Sequence, residues 1–261
     1  MNTLASRSLP AGPSKVPEVT AFFWIIKMMS TTVGETGAHY LNVNFGLGLV
    51  NTSALTGLLL AIALFFQVRA KSYAPSLYWI AVLFISVFGT LIGTLITDNL
   101  GDQLGVPLPA STAVFCVALI ATFIVWYGRE KTLSIRAIDT VGRELFYWTA
   151  ILFTFALGTA AGDWVTQGLG LGYGNCALLF GGLIAVTAVA RYAFRINAVA
   201  CFWVAYVLTR PFGASCGDLL SQSGSHGGLG LGTAGMSAIF LVVIVGLVLY
   251  LSLAQKRLMN F

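Results

Sequence analysis

The sequence is poor in charge. Only 9% of its 261 residues are Asp, Glu, Lys or Arg, against about a quarter in soluble domains, while 57% are hydrophobic and the mean hydropathy is +0.87. That balance excludes an ordinary water-soluble globular chain. The residues of redox and soft-metal chemistry are also scarce. The four cysteines, Cys116, Cys176, Cys201 and Cys216, are dispersed along apolar stretches with no CxxC spacing, which excludes a zinc knuckle or a dithiol pair. No HExxH arrangement occurs, and no P-loop lysine follows the Gly-x-Gly turns. Neither an enzyme, a nucleotide site nor a resident cofactor is therefore expected.

Basic residues are missing from one set of connections. The stretches 42–46, 100–106, 168–172 and 222–230 contain no Lys or Arg. Twelve of the fourteen basic residues lie elsewhere: in the N-terminal segment (Arg7, Lys15), near 70 (Arg69, Lys71), in 129–143 (Arg129, Lys131, Arg136, Arg143), near 193 (Arg191, Arg195) and at the C-terminus (Lys256, Arg257). This is the positive-inside pattern. It predicts a multi-pass chain with both termini cytoplasmic. It also accounts for the net charge of +5 without a nucleic-acid partner.

Apolar runs near twenty residues long, enough to cross about 30 Å of hydrocarbon, predict eight transmembrane helices at roughly 19–41, 47–68, 76–99, 107–128, 145–167, 173–194, 198–221 and 231–254. Residues 1–18, with Pro10, Pro13 and Pro17, read as a short cytoplasmic tail; they lack the charged-apolar-small order of a cleavable signal. The expected divisions are this tail, a first half at 19–128, a basic linker at 129–143 and a second half at 144–257.

The strongest pattern is a repeat. Trp24, Trp79, Trp148 and Trp203 are each followed ten residues later by a glycine: Gly34, Gly89, Gly158 and Gly213. Fifteen residues after the tryptophan come His39, Thr94, Asp163 and Asp218. The turns match as well: Phe45-Gly46-Leu47-Gly48, Leu104-Gly105-Val106-Pro107, Leu169-Gly170-Leu171-Gly172 and Leu229-Gly230-Leu231-Gly232. The tryptophans are spaced 55, 69 and 55 residues apart, so the chain is two halves of two helix-pair units each. An even number of crossings per unit makes the units parallel, with pseudo-symmetry about the membrane normal. The expected fold is an all-α polytopic membrane protein.

At about 100° per residue, offsets of 0, 10, 11, 14 and 15 from each tryptophan fall within an arc of about 140°. Glycines on that stripe permit close helix packing. Ionisable groups at membrane depth are costly unless paired or hydrated, so those on the stripe are the functional candidates. Glu35, His39, Asp163 and Asp218, with Asp98 one turn beyond Thr94, make a candidate metal site near the outer side. Carboxylates with an imidazole suit a hard or borderline divalent ion such as Mn²⁺ or Mg²⁺. Asn51, Asn175, Ser111 and Thr112 on the return helices are candidate substrate ligands. Lys27 and Arg210, nearer the cytoplasm, are expected to gate or to tether a carboxylate. The four tryptophans read as interfacial anchors or as part of a gate. Structural charge pairing and a proton relay through His39 remain alternatives to the cation site.

These residues carry a resemblance. Lys15-Val16-Pro17-Glu18-Val19-Thr20, Phe23-Trp24, Thr31-Thr32-Val33-Gly34-Glu35-Thr36-Gly37 and the later tryptophans resemble a family of bacterial inner-membrane proteins built from four tandem two-helix repeats, over residues 15–257. The resemblance implies the architecture and a bacterial inner-membrane location, and no activity, since the family's function is unassigned. It departs at His39, where an acid is usual, which admits a softer metal, and at Thr94, whose acid is displaced to Asp98. The function expected from the residues themselves is transport of a cation, foremost a divalent metal such as manganese. The rival is a sensor or scaffold subunit that binds metal or protons without moving them. The partners expected are the bilayer and a small inorganic cation, with a homo-oligomer left open.

Overall fold

The computed structural model of the protein describes residues 14–104, 107–224 and 227–259, and every element among them is helical. The long helices are α1 (Ala21–His39), α2 (Leu49–Arg69), α3 (Pro75–Leu104), α4 (Leu108–Glu130), α5 (Val141–Asp163), α6 (Gly172–Tyr192), α7 (Ala198–Ser221) and α8 (Thr233–Met259). Side chains start three of them. Thr20 accepts from the Phe23 N–H, Thr140 from Arg143, and Asn197 from both Val199 and Ala200, satisfying donors that the first turn leaves open.

α1 and α5 both run on into a single π-helical turn, Tyr40–Asn44 and Trp164–Gly168. The tight connections that follow turn on paired glycines with φ near +70°, Gly46 with Gly48 and Gly170 with Gly172. Side chains with a Cβ avoid that region.

Seven of the eight helices are long and apolar enough to cross a membrane, so the protein is a multi-pass membrane protein. α1 has the length but not the apolarity. Its polar residues Lys27, Ser30, Thr31, Thr32 and Thr36 are buried inside the protein instead.

The odd-numbered helices form a closed ring in which α1 packs on α3, α3 on α5, α5 on α7 and α7 on α1. The even-numbered helices lie outside it. Along their most apolar stretches, 67% of α5 and 56% of α7 are buried, against 11% of α6 and of α8. Lipid tails are as apolar as leucine and solvate the outer faces, so those faces need no protein partner. The sequence repeat and the packing unit differ. α2 packs chiefly on α3, α4 on α5, α6 on α7, and α8 on α1. Each return helix therefore leans on the first helix of the next unit, and α8 closes the ring on the first.

The ring is held in one register. The glycine ten residues after each tryptophan receives the residue seven after the tryptophan of the next unit: Gly34 faces Ser86, Gly89 faces Phe155, Gly158 faces Arg210 and Gly213 faces Thr31. A second contact repeats in the same direction. The aromatic residue before each tryptophan meets the following unit's tryptophan: Phe23 with Trp79, Tyr78 with Trp148, Tyr147 with Trp203 and Phe202 with Trp24, at centroid separations of 5.8, 5.4, 6.1 and 5.8 Å. Hence three of the four tryptophans are core residues rather than interfacial anchors, and Trp24 is half-buried. Trp79, Trp148 and Trp203 are at most 5% exposed, because each ring is clamped in the seam between units.

Residues 14–16 are also not a free tail. Lys15 Nζ pairs with Glu144 Oε2 at 2.9 Å and donates to the Val68 carbonyl at 2.8 Å, while Gln67 donates to Glu144 Oε1 at 3.1 Å. Within the expected linker, Arg143 pairs with both Glu130 and Asp139 at 2.8 Å, which folds that stretch against α5.

A Cβ added at Gly89 would lie 2.5 Å from Phe155 Cβ, and one at Gly213 would lie 2.7 Å from Thr31, whereas one at Gly246 meets nothing within 4 Å. Gly89→Ala and Gly213→Ala are therefore expected to lose about 1–3 kcal/mol through overpacking, and Gly246→Ala to lose nothing. Thermal unfolding of the detergent-purified variants checks this.

Candidate functional site

Counted from its tryptophan, each ring helix presents positions 3, 7, 11 and 15 to the interior, one turn and about 6 Å apart. Position 15 holds His39, Thr94, Asp163 and Asp218. Position 11 holds Glu35, Thr90, Thr159 and Ala214. All eight residues line one cavity of about 310 Å³ at the end of the ring away from the tryptophans. Asn42, Thr97, Thr166, Gln167, Tyr173 and Gln222 complete its polar wall. His39 and Asp163 each sit where an α-helix passes into its π turn, a distortion often found at functional sites.

Position 7 supplies the floor. Arg210 is fully buried, and its Nη2 donates to Glu35 Oε2 at 2.8 Å, to Thr159 Oγ1 at 2.9 Å and to Thr90 Oγ1. Arg210 belongs to the fourth unit, and these three acceptors belong to the first, the second and the third. Its Nε and Nη1 have no partner. The aliphatic stem lies in the space left by Gly158, which explains why that position has no side chain.

One turn lower, Lys27 Nζ donates to Thr31 Oγ1 at 2.9 Å and lies over the Phe155 and Tyr206 rings at 4.3 and 4.6 Å from their centroids. Ring faces attract a cation that has no water. Arg210 therefore tethers a carboxylate, Glu35, rather than Asp218 on its own helix. The salt bridge runs between two helices, α7 and α1.

The structure gathers Glu35, His39, Asp163 and Asp218 around one space, but it does not make them a metal cage. Among the described residues no three His, Cys, Asp or Glu side chains approach closely enough to hold one ion. They project from different sides of a four-helix ring, and Glu35 is engaged by Arg210. The side chain of Asp98 lies outside the described residues. The expected substrate ligands on the return helices lie elsewhere. Asn51 and Asn175 are exposed and donate to the carbonyls of Leu47 and Leu171 at 3.0 Å. Thr112 donates to Leu108 at 3.0 Å, and Ser111 is buried outside the cavity wall. The even helices stand outside the ring and bring only Leu49, Leu108 and Tyr173 of their first turns to the cavity, so these four side chains do not reach it.

Thr90 and Thr159, which the sequence did not single out, share the position of Glu35 in their own units. Aligning all four units at offset 11 would have found them. Gln167 and Gln222 share offset 19 with Asp98, which would have found them, whereas Tyr173 lies on a return helix and had no such signal.

The model of the family called Repeat of Unknown Function (DUF347) matches four segments of the chain, 22–73, 77–132, 146–197 and 201–257. The chain belongs to the DUF347 repeat family. Each DUF347 segment begins two residues before its tryptophan, and the unmatched stretch between the second and third contains the Arg143-bound connection. No curated protein and no solved structure matches the chain.

Removing one member of a buried ion pair costs about 3–5 kcal/mol because it strands the other. Glu35→Gln is thus expected to destabilise the DUF347 ring more than Glu35→Gln/Arg210→Met does. A double-mutant cycle in thermal unfolding checks this, and additive losses would contradict the pairing.

Proposed function

We propose that the protein is a transporter for a small cation, with a divalent metal of the Mn²⁺ or Mg²⁺ class as its first candidate substrate. One observation carries this reading: three carboxylates and an imidazole, carried by the first helices of three repeats, line one cavity, with a single guanidinium bound to one of the carboxylates. The formal excess of negative charge favours a cation. The lack of converging ligands favours one that keeps part of its water, as Mg²⁺ and ions like it do. A cavity of this size accommodates the ion with several waters.

The distribution of Lys and Arg supports placing the tryptophan end at the cytoplasm and the cavity toward the outside, with eight crossings and both termini inside, in a bacterial inner membrane. The four matched glycine contacts support a pseudo-fourfold axis along the membrane normal. In that frame the cavity is open outward and closed inward by the Arg210 and Lys27 levels and the aromatic collar. Arg210 neutralises Glu35 while the site is empty. An arriving cation competes for the same carboxylate, so binding and rearrangement of the floor are one event.

The closed floor also favours a second reading, a sensor that binds the ion and passes nothing. Flux separates the two. In vesicles containing the purified protein, uptake of Mn²⁺ or Mg²⁺ is expected to fall about tenfold or more in Asp163→Asn/Asp218→Asn, since each 1.4 kcal/mol of lost ion stabilisation is a factor of ten. Binding without flux in the parent protein would favour the sensor. Flux unchanged in the folded double variant would overturn the cavity as the ion's path.

A further inference from the structure

Beneath the cavity lies a charge that cation binding alone leaves without a role. Lys27 is 1% exposed, and the ion pairs among the described residues leave it without a carboxylate. Its ammonium has one hydroxyl, Thr31, and two ring faces. A second cation, Arg210, lies by the same ring, with its guanidinium carbon 5.6 Å from the Phe155 centroid. The other elements packed on α1 offer no compensation at this level. α7 brings Arg210 and Tyr206, α5 brings Phe155, the described titratable residue of α3 is Tyr78 nearer the tryptophan end, and Tyr250 of α8 lies against Phe22.

The two buried cations differ in what they can do. Arginine stays charged under all ordinary conditions, whereas a buried lysine can give up its proton. Arg210 is balanced by Glu35, so the repulsion that Lys27 feels depends on whether that balance holds. Three tyrosines, Tyr206 at the level of Lys27 and Tyr147 and Tyr78 below it, are each fully buried. Tyr206 Oη has no hydrogen-bond partner, and the hydroxyls of Tyr147 and Tyr78, one turn nearer the tryptophan end, share a hydrogen bond of 2.5 Å. Hydroxyl groups thus stand at two levels of an otherwise aromatic layer, Tyr206 unpaired beside Lys27 and the Tyr147–Tyr78 pair one turn below.

We propose that Lys27 is a proton-exchange site that couples occupancy of the cavity to proton movement. This deepens the transport reading and rests on it for the identity of the cation. With the cavity empty, Glu35 neutralises Arg210 and Lys27 holds its proton. A cation that draws Glu35 away leaves the Arg210 charge by the same ring as the ammonium. One N–H bond of the ammonium breaks, its electron pair stays on nitrogen as the amine, and the proton leaves through the tyrosine hydroxyls to water at the tryptophan end. A cation enters as a proton departs, with nothing oxidised or reduced.

The test reads Lys27 directly. The chain has five lysines, so the full-length protein labelled with ¹⁵N at lysine Nζ gives a short NMR spectrum in nanodiscs, and Lys27→Met assigns the resonance. The spectrum is followed from about pH 6 to about pH 9, within which an exposed lysine stays an ammonium, with and without Mg²⁺. The expected result is a Lys27 resonance that passes from ammonium to amine in this range, with saturating Mg²⁺ raising the amine-to-ammonium ratio roughly tenfold through the added like-charge repulsion. An ammonium at every pH overturns the proposal. So does a titration that Mg²⁺ leaves unmoved in protein to which Mg²⁺ binds. Titration in protein that binds no Mg²⁺ supports proton exchange at Lys27 and counts instead against the cation reading of the cavity.

Discussion

One guanidinium touches all four repeats. Arg210 leaves the fourth, lies in the notch of Gly158 in the third, and hydrogen bonds to Glu35, Thr90 and Thr159 of the first, second and third. A fully buried arginine inside a membrane protein is tolerable only where its charge is paired, and here Nη2 makes the pairing with Glu35 while Nε and Nη1 have no partner. The rest of the ring is consistent with that demand. The glycine ten residues after each tryptophan sets helix spacing, and the residue seven after each tryptophan fills the notch opposite. In three seams the filler is Ser86, Phe155 or Thr31, and the contact is packing. In the fourth it is arginine, and the same contact becomes the floor of the cavity.

The four units share a scaffold but not a lining. At position 3 the interior shows Lys27, Val82, Ile151 and Tyr206. At position 7 it shows Thr31, Ser86, Phe155 and Arg210. Four identical units would place four like charges at one level, where each would oppose the others. Spreading one lysine, one arginine and three carboxylates over different levels and different units gives every charge a different set of neighbours. Backbone register and side-chain chemistry are thereby separated: glycines and aromatics fix the first, and the positions between them are free to carry the second.

Much of this was legible in the sequence, because a stripe of period 3.6 on four parallel helices points inward whatever the neighbours are. That argument placed Glu35, His39, Asp163 and Asp218 at one end of the molecule, and the structure puts all four on one cavity wall. Contacts between helices were not legible. The distance from Arg210 to Asp218 follows from helical rise alone, but its pairing with Glu35 depends on which helix stands beside which. The same lack of pairing information misled the reading of the tryptophans. An aromatic at the end of an apolar helix suits an interface anchor and a seam equally well, and only the neighbouring Phe23, Tyr78, Tyr147 and Phe202 decide between them. Asn51 and Asn175 were placed by their distance from matching turns, which says nothing about whether their helices stand inside or outside the ring.

The position of α1 follows from the same physics. Its polar groups make it too hydrophilic to qualify as a membrane span by itself, yet within the ring they are used. Thr32 donates to the Gly213 carbonyl at 3.2 Å, Thr36 shares a 2.6 Å hydrogen bond with Ser237 of α8, and the Ser30 carbonyl accepts from Ser86 at 2.9 Å. Each of these bonds joins α1 to a different helix. A helix of this kind is stable at membrane depth only once its neighbours are in place, because hydrocarbon offers its hydroxyls nothing. Closure of the ring by α8 and α7 against α1 is therefore a condition for burying the chain's first helix, and the least apolar helix is the one on which the cavity's Glu35 and His39, and Lys27 beneath them, are all carried.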